Sequence, residues 1–330
     1  MASVAIPLAS SAPRWWQRLH YITAPLDFLD QAAHRSGDLF NAPVIGPHST
    51  VVMMSHPQGI QQLFSNDQAI IAPPNGLLEP IVGEHSIFGL TGARHRRERK
   101  LLFPPFQQTA IPRYGELIGE LTHQAMQTCA VGEPFLARSL AQSISLDVIL
   151  QVVFGVTAGD RGTQLKALMV EFTACFNNPL VSGAIFLPAL QREGNGKLPW
   201  GKFRHLRQQL SDALLAAIGD RQQRNITERT DILSLLMAAQ DEAGAAMTPA
   251  ELHDELITLL LAGHETTASA IAWALYWVHH NPHIYQTLRN EIVSLGTEAA
   301  PLAIAKLPYL TAVCQETLRL YPIAILTVPR

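Results

Sequence analysis

One run of the sequence restricts the fold more than any other. Thr248-Pro249-Ala250-Glu251 places threonine at an N-cap, proline at the first helical position and glutamate at the third, so a helix starts there with two orphan amides satisfied. Asn281-Pro282 ends it, because proline lacks the donor the helix would need next. The interval 249–280 spans roughly 48 Å at 1.5 Å per residue. Its flanks, Leu256 to Gly263 and Ala268 to Val278, are apolar around nearly the whole circumference, which requires burial in protein or in lipid. His264, Glu265, Thr266 and Thr267 at the middle separate the two cases. An acid and a histidine are rare at the midpoint of a membrane span, whereas a buried helix of a globular protein holds them where a pocket or chemistry uses them. The expectation is a core helix that crosses the molecule.

The rest of the chain fits a well-buried interior, with 48% hydrophobic and 15% charged residues among 330. A formal net charge of −3, spread along the chain, gives no field to attract nucleic acid, and no nucleic-acid partner is expected. Cys129, Cys175 and Cys314 lie far apart without C-x-x-C spacing, which reads as buried free thiols in a cytoplasmic protein. Met1 to Pro13 has a short apolar stretch without a basic leader, broken by Pro7 and Pro13, so neither a signal peptide nor a membrane anchor is expected. No repeat or linker divides the sequence, which reads as one domain over 1–330.

Leu26, Phe28, Leu29, Ala32 and Ala33 predict a short amphipathic helix ending near Gly37. Leu39 to Ile45 and Thr50 to Met54 flank Gly46-Pro47 as a hairpin, and Ser55 with Gln58 predicts a capping box for the next helix. Ala72 to Phe88 is expected to be irregular, interrupted by Pro73, Pro74, Gly76, Pro80 and Gly83, with Leu77, Leu78 and Phe88 available to line a pocket. Beyond it the periodicity predicts helices over 94–102, 114–130, 140–154, 163–176, 203–224, 231–241, 249–280, 282–294 and 307–320. The fold class is mainly α with a small β-sheet.

Several side-chain patterns are open to more than one reading. The polar tetrad 264–267 can be a solvent-facing patch, with Thr266 and Thr267 bonding carbonyls one turn earlier. A zinc-protease H-E-x-x-H motif fails, because position 268 is alanine. Glu316 and Arg319 at i and i+3 can be an ordinary surface ion pair. Gly92 to Lys100 is a basic run, readable as a solvated face or an anion patch, in which His95 and Arg99 share one face at i and i+4. His279, His280 and His283 read as a helix end complementing its dipole rather than a metal site, and Phe172 as a core position.

Taken together, Ala262-Gly263-His264-Glu265-Thr266-Thr267 resembles the oxygen-binding helix motif of the cytochrome P-450 family. Glu316-Thr317-Leu318-Arg319, framed by Leu307-Pro308-Tyr309-Leu310 and Leu320-Tyr321-Pro322, resembles the family's later Glu/Arg helix in order and separation. Asp231 to Leu236 and Leu146 to Gly155 also resemble family segments. The resemblance implies a haem b monooxygenase that inserts one atom of O2 into an apolar small molecule, with electrons from a separate ferredoxin-type donor and its reductase. It implies that Ala262 and Gly263 adjoin the haem, that Thr266 hydrogen-bonds the oxygen, and that Glu265 feeds protons through water. His95, Arg99 and Arg330 would hold the haem propionates, and Glu316 with Arg319 would brace the core. Phe172 would join Leu77, Leu78 and Phe88 at the substrate cavity.

The same resemblance implies a carboxy-terminal part beyond residue 330, with the glycine-rich loop whose cysteine thiolate ligates iron. None of the three cysteines here lies in such a loop, so the expected metal ligand is absent from these residues and apolar surface of the central helix is left uncovered. Two other readings stay open: an inactive truncated remnant or partial gene product, and a haem-free helical ligand-binding protein.

Overall fold

A computed structural model describes residues 6–44, 51–65, 76, 78–107, 112–155, 160–186, 191, 198–223, 230–296 and 299–326. In chain order the elements are α1 (Arg14–Thr23), α2 (Pro25–Ser36), β1 (Leu39–Asn41), β2 (Val52–Met54), α3 (Pro57–Ser65), α4 (Glu79–Val82), α5 (Gly92–Leu102), α6 (Pro112–Met126), α7 (Ala137–Phe154), α8 (Asp160–Ala174), α9 (Pro179–Phe186), α10 (Pro199–Gln222), α11 (Ile232–Ala238), α12 (Pro249–His280), α13 (Pro282–Val293), α14 (Pro301–Ile304) and α15 (Pro308–Leu320). The architecture is mainly helical with a two-stranded sheet. Two compact units are distinguished, Met1–Pro80 with Ala174–His205 and Pro329–Arg330, and Ile81–Thr173 with Leu206–Val328.

In the first unit, α1 meets α2 at Ala24-Pro25, and Tyr21 stands edge-on to Phe28 with ring centroids 5.9 Å apart. The strands β1 and β2 pair antiparallel with Leu39 opposite Met54 and Asn41 opposite Val52. The expected hairpin is thus present but shorter, and its turn at Gly46-Pro47 lies outside the described residues. Ser55 does not cap α3. Its hydroxyl donates to Asp38 at 3.1 Å, and the helix starts at Pro57, whose fixed φ suits a first helical position. Phe176 and Trp200 pack against Phe203 at 5.5 and 4.8 Å.

In the second unit, α12 starts on the capping box read from the sequence: the Glu251 amide donates to Thr248 Oγ1 at 3.2 Å and the Thr248 amide to Glu251 Oε2 at 2.7 Å. Residues Leu252 to Thr258 are buried without interruption, whereas beyond Ala268 only Val278 is. On that half Trp273 and Tyr276 are exposed, and Trp273 stacks on Tyr321 with ring centroids 3.8 Å apart. The helix with the largest interface to α12 is α7, the one described helix long and apolar enough to cross a membrane by composition. It ends at Gly155, whose φ of 59° is a left-handed stop that glycine adopts without strain.

Next to that stop, Arg221 gathers three segments. Its guanidinium donates to both oxygens of Asp231 at 2.5 and 2.6 Å, to Ser234, and to the Phe154 carbonyl at 2.6 Å. Asp231 in turn caps α11 by accepting the Ser234 amide. The two segments singled out as packing features, 146–155 and 231–236, therefore meet through one buried arginine. The segment 72–88 is less irregular than expected, because Glu79–Val82 forms a turn of helix before Gly83.

Candidate active site

The site is built where α7 crosses the middle of α12. A Cβ on Gly263 would lie 2.7 Å from Ile149 Cδ1, so glycine is what permits this approach. Ser145 of α7 points its hydroxyl at the carbonyls of Gly263 and His264, at 3.2 and 3.0 Å. The α-helix stays continuous through Ala262 to Thr267.

Each member of the tetrad has a different surrounding. Glu265 is half-buried, held by Arg138 Nη2 at 3.1 Å and by Gln142 Nε2 at 3.0 and 3.3 Å. Thr266 is exposed, and its hydroxyl donates to the Ala262 carbonyl one turn back at 2.5 Å. Its only hydrogen is thereby used, which leaves the oxygen an acceptor toward the outside. His264 is 2% exposed, and among the described residues neither ring nitrogen makes a well-aligned hydrogen bond, the Gln142 backbone being the polar group beside it. Burial depresses its pKa against the opposing pull of Glu265, whose Oε1 lies 3.7 Å from Nδ1.

The basic run forms α5, with His95 half-buried and Arg99 exposed. Arg99 has no acidic partner among the described residues, so its charge is available to an anion. The run is more than a solvated face, because Glu98 is buried and Arg97 pairs with Glu98, with Asp241 at 2.6 Å and with Glu251 at 3.3 Å. These pairs tie α5 to the first turn of α12.

The segment before α5 is fastened to α12 as well. The His85 amide donates to Asp254 at 3.0 Å, the Ile87 amide to Glu255 at 2.7 Å, and Thr258 Oγ1 lies 2.8 Å from Ser86 Oγ. Gly83, at φ 97°, lies against Asp254, where a Cβ would come within 2.1 Å of the carboxylate. Asp254 also accepts from His253 Nδ1 at 2.9 Å, which leaves Nε2 to accept the Ser211 hydroxyl at 2.7 Å. Burial pushes Glu255 up to about 8, helped by the neighbouring charges of Glu98, Asp254 and Glu251. None of this bracket was visible to sequence reasoning, whose local patterns do not join residues so far apart in the chain.

Of the remaining expected residues, Phe88 ends the fastened segment and is exposed, Phe172 is fully buried on α8, and Leu78 is half-buried. Leu77 and Arg330 lie outside the described residues. Glu316 and Arg319 form their two-bonded pair on α15, at 2.6 and 2.7 Å, with both side chains exposed. A cavity of about 610 Å³ opens between the end of α6 and the start of α7, lined by Leu121, Cys129, Phe135, Leu140 and Asp147 among others and by none of the expected substrate residues. The cysteines are not buried as expected: Cys129 and Cys175 are half-buried and Cys314 is exposed. Cys129 and Cys175 follow the ends of helices, and on α15 it is Thr317 that turns inward. His279 Nδ1 donates to the Leu275 carbonyl and His280 stacks on Tyr276, and no group of His, Cys, Asp and Glu among the described residues is arranged to hold a metal.

Comparison with known proteins places this arrangement. The family model for cytochrome P450 matches residues 7–330. A Mycobacterium tuberculosis protein named as cytochrome P450 135A1 is 30% identical over 285 residues, covering 86% of this chain and 62% of that protein. Another from the same organism, named as cytochrome P450 137, is 33% identical over 296 residues, covering 89% and 59%. The solved structure of cyanobacterial CYP120A1 with retinoic acid bound superposes with a TM-score of 0.80 at 22% identity, over 97% of this chain and 70% of that one. The chain belongs to the cytochrome P450 family, and it spans about 60% of the length of these two mycobacterial relatives.

The family is one of haem-dependent monooxygenases, and the chemistry of the residues that the resemblance assigns to haem is compatible with that group. An exposed acceptor on Thr266 and an Arg99 guanidinium without an acidic partner among the described residues suit a bound haem, whereas the Gly263 contact faces Ile149 of α7. The cysteine-bearing loop that the family resemblance implies is not among the 330 residues.

Proposed function

We propose that the chain supplies the oxygen side and the propionate side of a haem monooxygenase acting on an apolar small molecule. The observation that carries this reading is a half-buried Glu265, held by Arg138 and Gln142, next to a Thr266 whose hydroxyl hydrogen is committed to Ala262. Haem, when bound, supplies the binding of O2 and its reductive activation. Thr266, with its hydrogen committed to Ala262, presents an acceptor that holds a water with a hydrogen available to pass on. Glu265, partly open to solvent and fixed by Arg138 and Gln142, collects protons from bulk water and passes them toward that position.

His95 and Arg99, one turn apart on α5, would grip the haem carboxylates, with Arg330 as a further contact. Phe88, Phe172, Leu77 and Leu78 are proposed to contact the substrate. Electrons would come from a separate ferredoxin-type donor and its reductase, and the protein would work in the cytoplasm. The test is a haem titration of the chain followed in the Soret region. Saturable uptake is expected, weakened about tenfold by Arg99→Ala through loss of one charge-assisted contact. No uptake, or uptake indifferent to Arg99→Ala, overturns the assignment.

A further inference from the structure

We propose that Glu255 is a proton-operated latch: while protonated it keeps Gly83 to Phe88 fastened to α12, and on losing its proton it lets that segment go. Three consecutive residues make the fastening. The His85 amide donates to Asp254, the Ile87 amide donates to Glu255, and between them Ser86, 0% exposed, meets Thr258. From Gly83 to Leu90 the chain makes turns only, with Gly83 at φ 97° at one end and the Gly89 amide bonded to the Ser86 carbonyl toward the other. Facing it, α12 is 32 residues long and buried from Leu252 to Thr258. A repulsion across this contact therefore moves the segment, not the helix.

The surroundings of Glu255 make its charge such a repulsion. The residue is 0% exposed, Oε1 takes the Ile87 amide, and Oε2 has no partner among the described residues. From α5 it is faced by Glu98, 1% exposed and with its own Oε2 equally without a partner, and on α12 by Glu251 and Asp254. The nearby cationic and imidazole groups are engaged elsewhere: Arg97 with Glu98, Asp241 and Glu251, Arg94 with the ring of His85, His85 with Glu84, and His253 with Asp254. A neutral acid suits this place and a carboxylate does not, so burial first and these charges second hold Glu255 up to about 8. Water reaches both oxygens once 83–88 lifts. The folded value lies above the ordinary 4.5, so the latch is full below pH 4.5 and is lost as the pH rises through about 8. Its bearing on a substrate rests on the role proposed for Phe88; the latch itself does not.

The experiment is hydrogen–deuterium exchange of the chain at pH 6 and pH 8, read by mass spectrometry and corrected for the intrinsic rate at each pH. Protection of 85–90 is expected to lie well below that of α7, the mark of local opening, and to fall about fiftyfold between the two pH values. Glu255→Gln is expected to cut the fall to a few-fold, the part left to Glu98. Thr258→Val removes one fastening and no titratable group, and is expected to lower protection at both pH values while keeping the fall. Circular dichroism checks that the variants stay folded. Protection of 85–90 that ignores pH, that equals the protection of α7, or that falls as far in Glu255→Gln overturns the proposal.

Discussion

One carboxylate oxygen of Glu255 accepts the backbone amide of Ile87 at 2.7 Å, while its other oxygen is buried without a partner among the described residues. Burial, with Glu98, Asp254 and Glu251 nearby, raises its pKa from 4.5 to about 8. The folded chain therefore prefers the neutral acid. Stability from this group is full below pH 4.5 and is lost as the pH rises through about 8. Glu98, raised by burial and then by Glu251, acts in the same direction. Urea unfolding is expected to show the wild type losing roughly 3 kcal/mol more than Glu255→Gln between pH 5 and pH 9. Parallel pH profiles would contradict this.

His264 has the opposite sign. Its pKa is lowered from 6.5, so the neutral ring is favoured in the fold and stability is lost as the pH falls below that value. Among the described residues neither buried ring nitrogen makes a well-aligned hydrogen bond, and a leucine of similar reach removes that cost. His264→Leu is expected to gain about 1 kcal/mol at neutral pH and more in mild acid, by chemical denaturation. A loss of stability would mean that the ring has a partner the geometry does not reveal.

Arg221 and Asp231 are both buried, and removing either leaves the other charge unmatched. Asp231→Ala also takes the cap from α11. A destabilisation of roughly 4 kcal/mol is expected, enough to unfold a marginal domain at physiological temperature. A thermal midpoint close to wild type would show that the three joined segments hold together without this pair.

The Glu316–Arg319 pair behaves differently, because both partners are open to water. Arg319→Ala is expected to leave the urea midpoint of this chain unchanged within error, since solvent screens the exposed pair. A clear drop would show that α15 depends on it already in these 330 residues.

The long helix was legible at both ends because cap chemistry is local: Thr248 to Glu251 and Asn281-Pro282 need no knowledge of the rest of the fold. The other main helices from α5 onward begin or end within a few residues of the limits predicted from periodicity, although α5, α7, α13 and α15 start without a side-chain cap. Helix α1 was not legible, because its tryptophans face out and Gln17 faces in, against the periodicity rule for a core helix. Helices α4, α9 and α14 are too short to set up a period. The motif residues Glu265 and Thr266 were found from their neighbours in sequence. Arg138, Gln142 and Ser145, which position them, were not, because only the α7–α12 crossing brings them there. Ser55 was misread as a cap since Pro57 shifts the helix start, and the cysteines were misread as buried since Cys129 and Cys175 fall at helix ends and Cys314 lies on the outer face of α15, where Thr317 turns inward.

Reduction of the haem-reconstituted chain under carbon monoxide, read as an absorbance difference spectrum, bears most directly on the claim that these residues carry the oxygen side without the thiolate. The account predicts a Soret band at a histidine-like position. A band at the strongly red-shifted thiolate position would contradict it, because Cys129, Cys175 or Cys314 would then have to reach the iron.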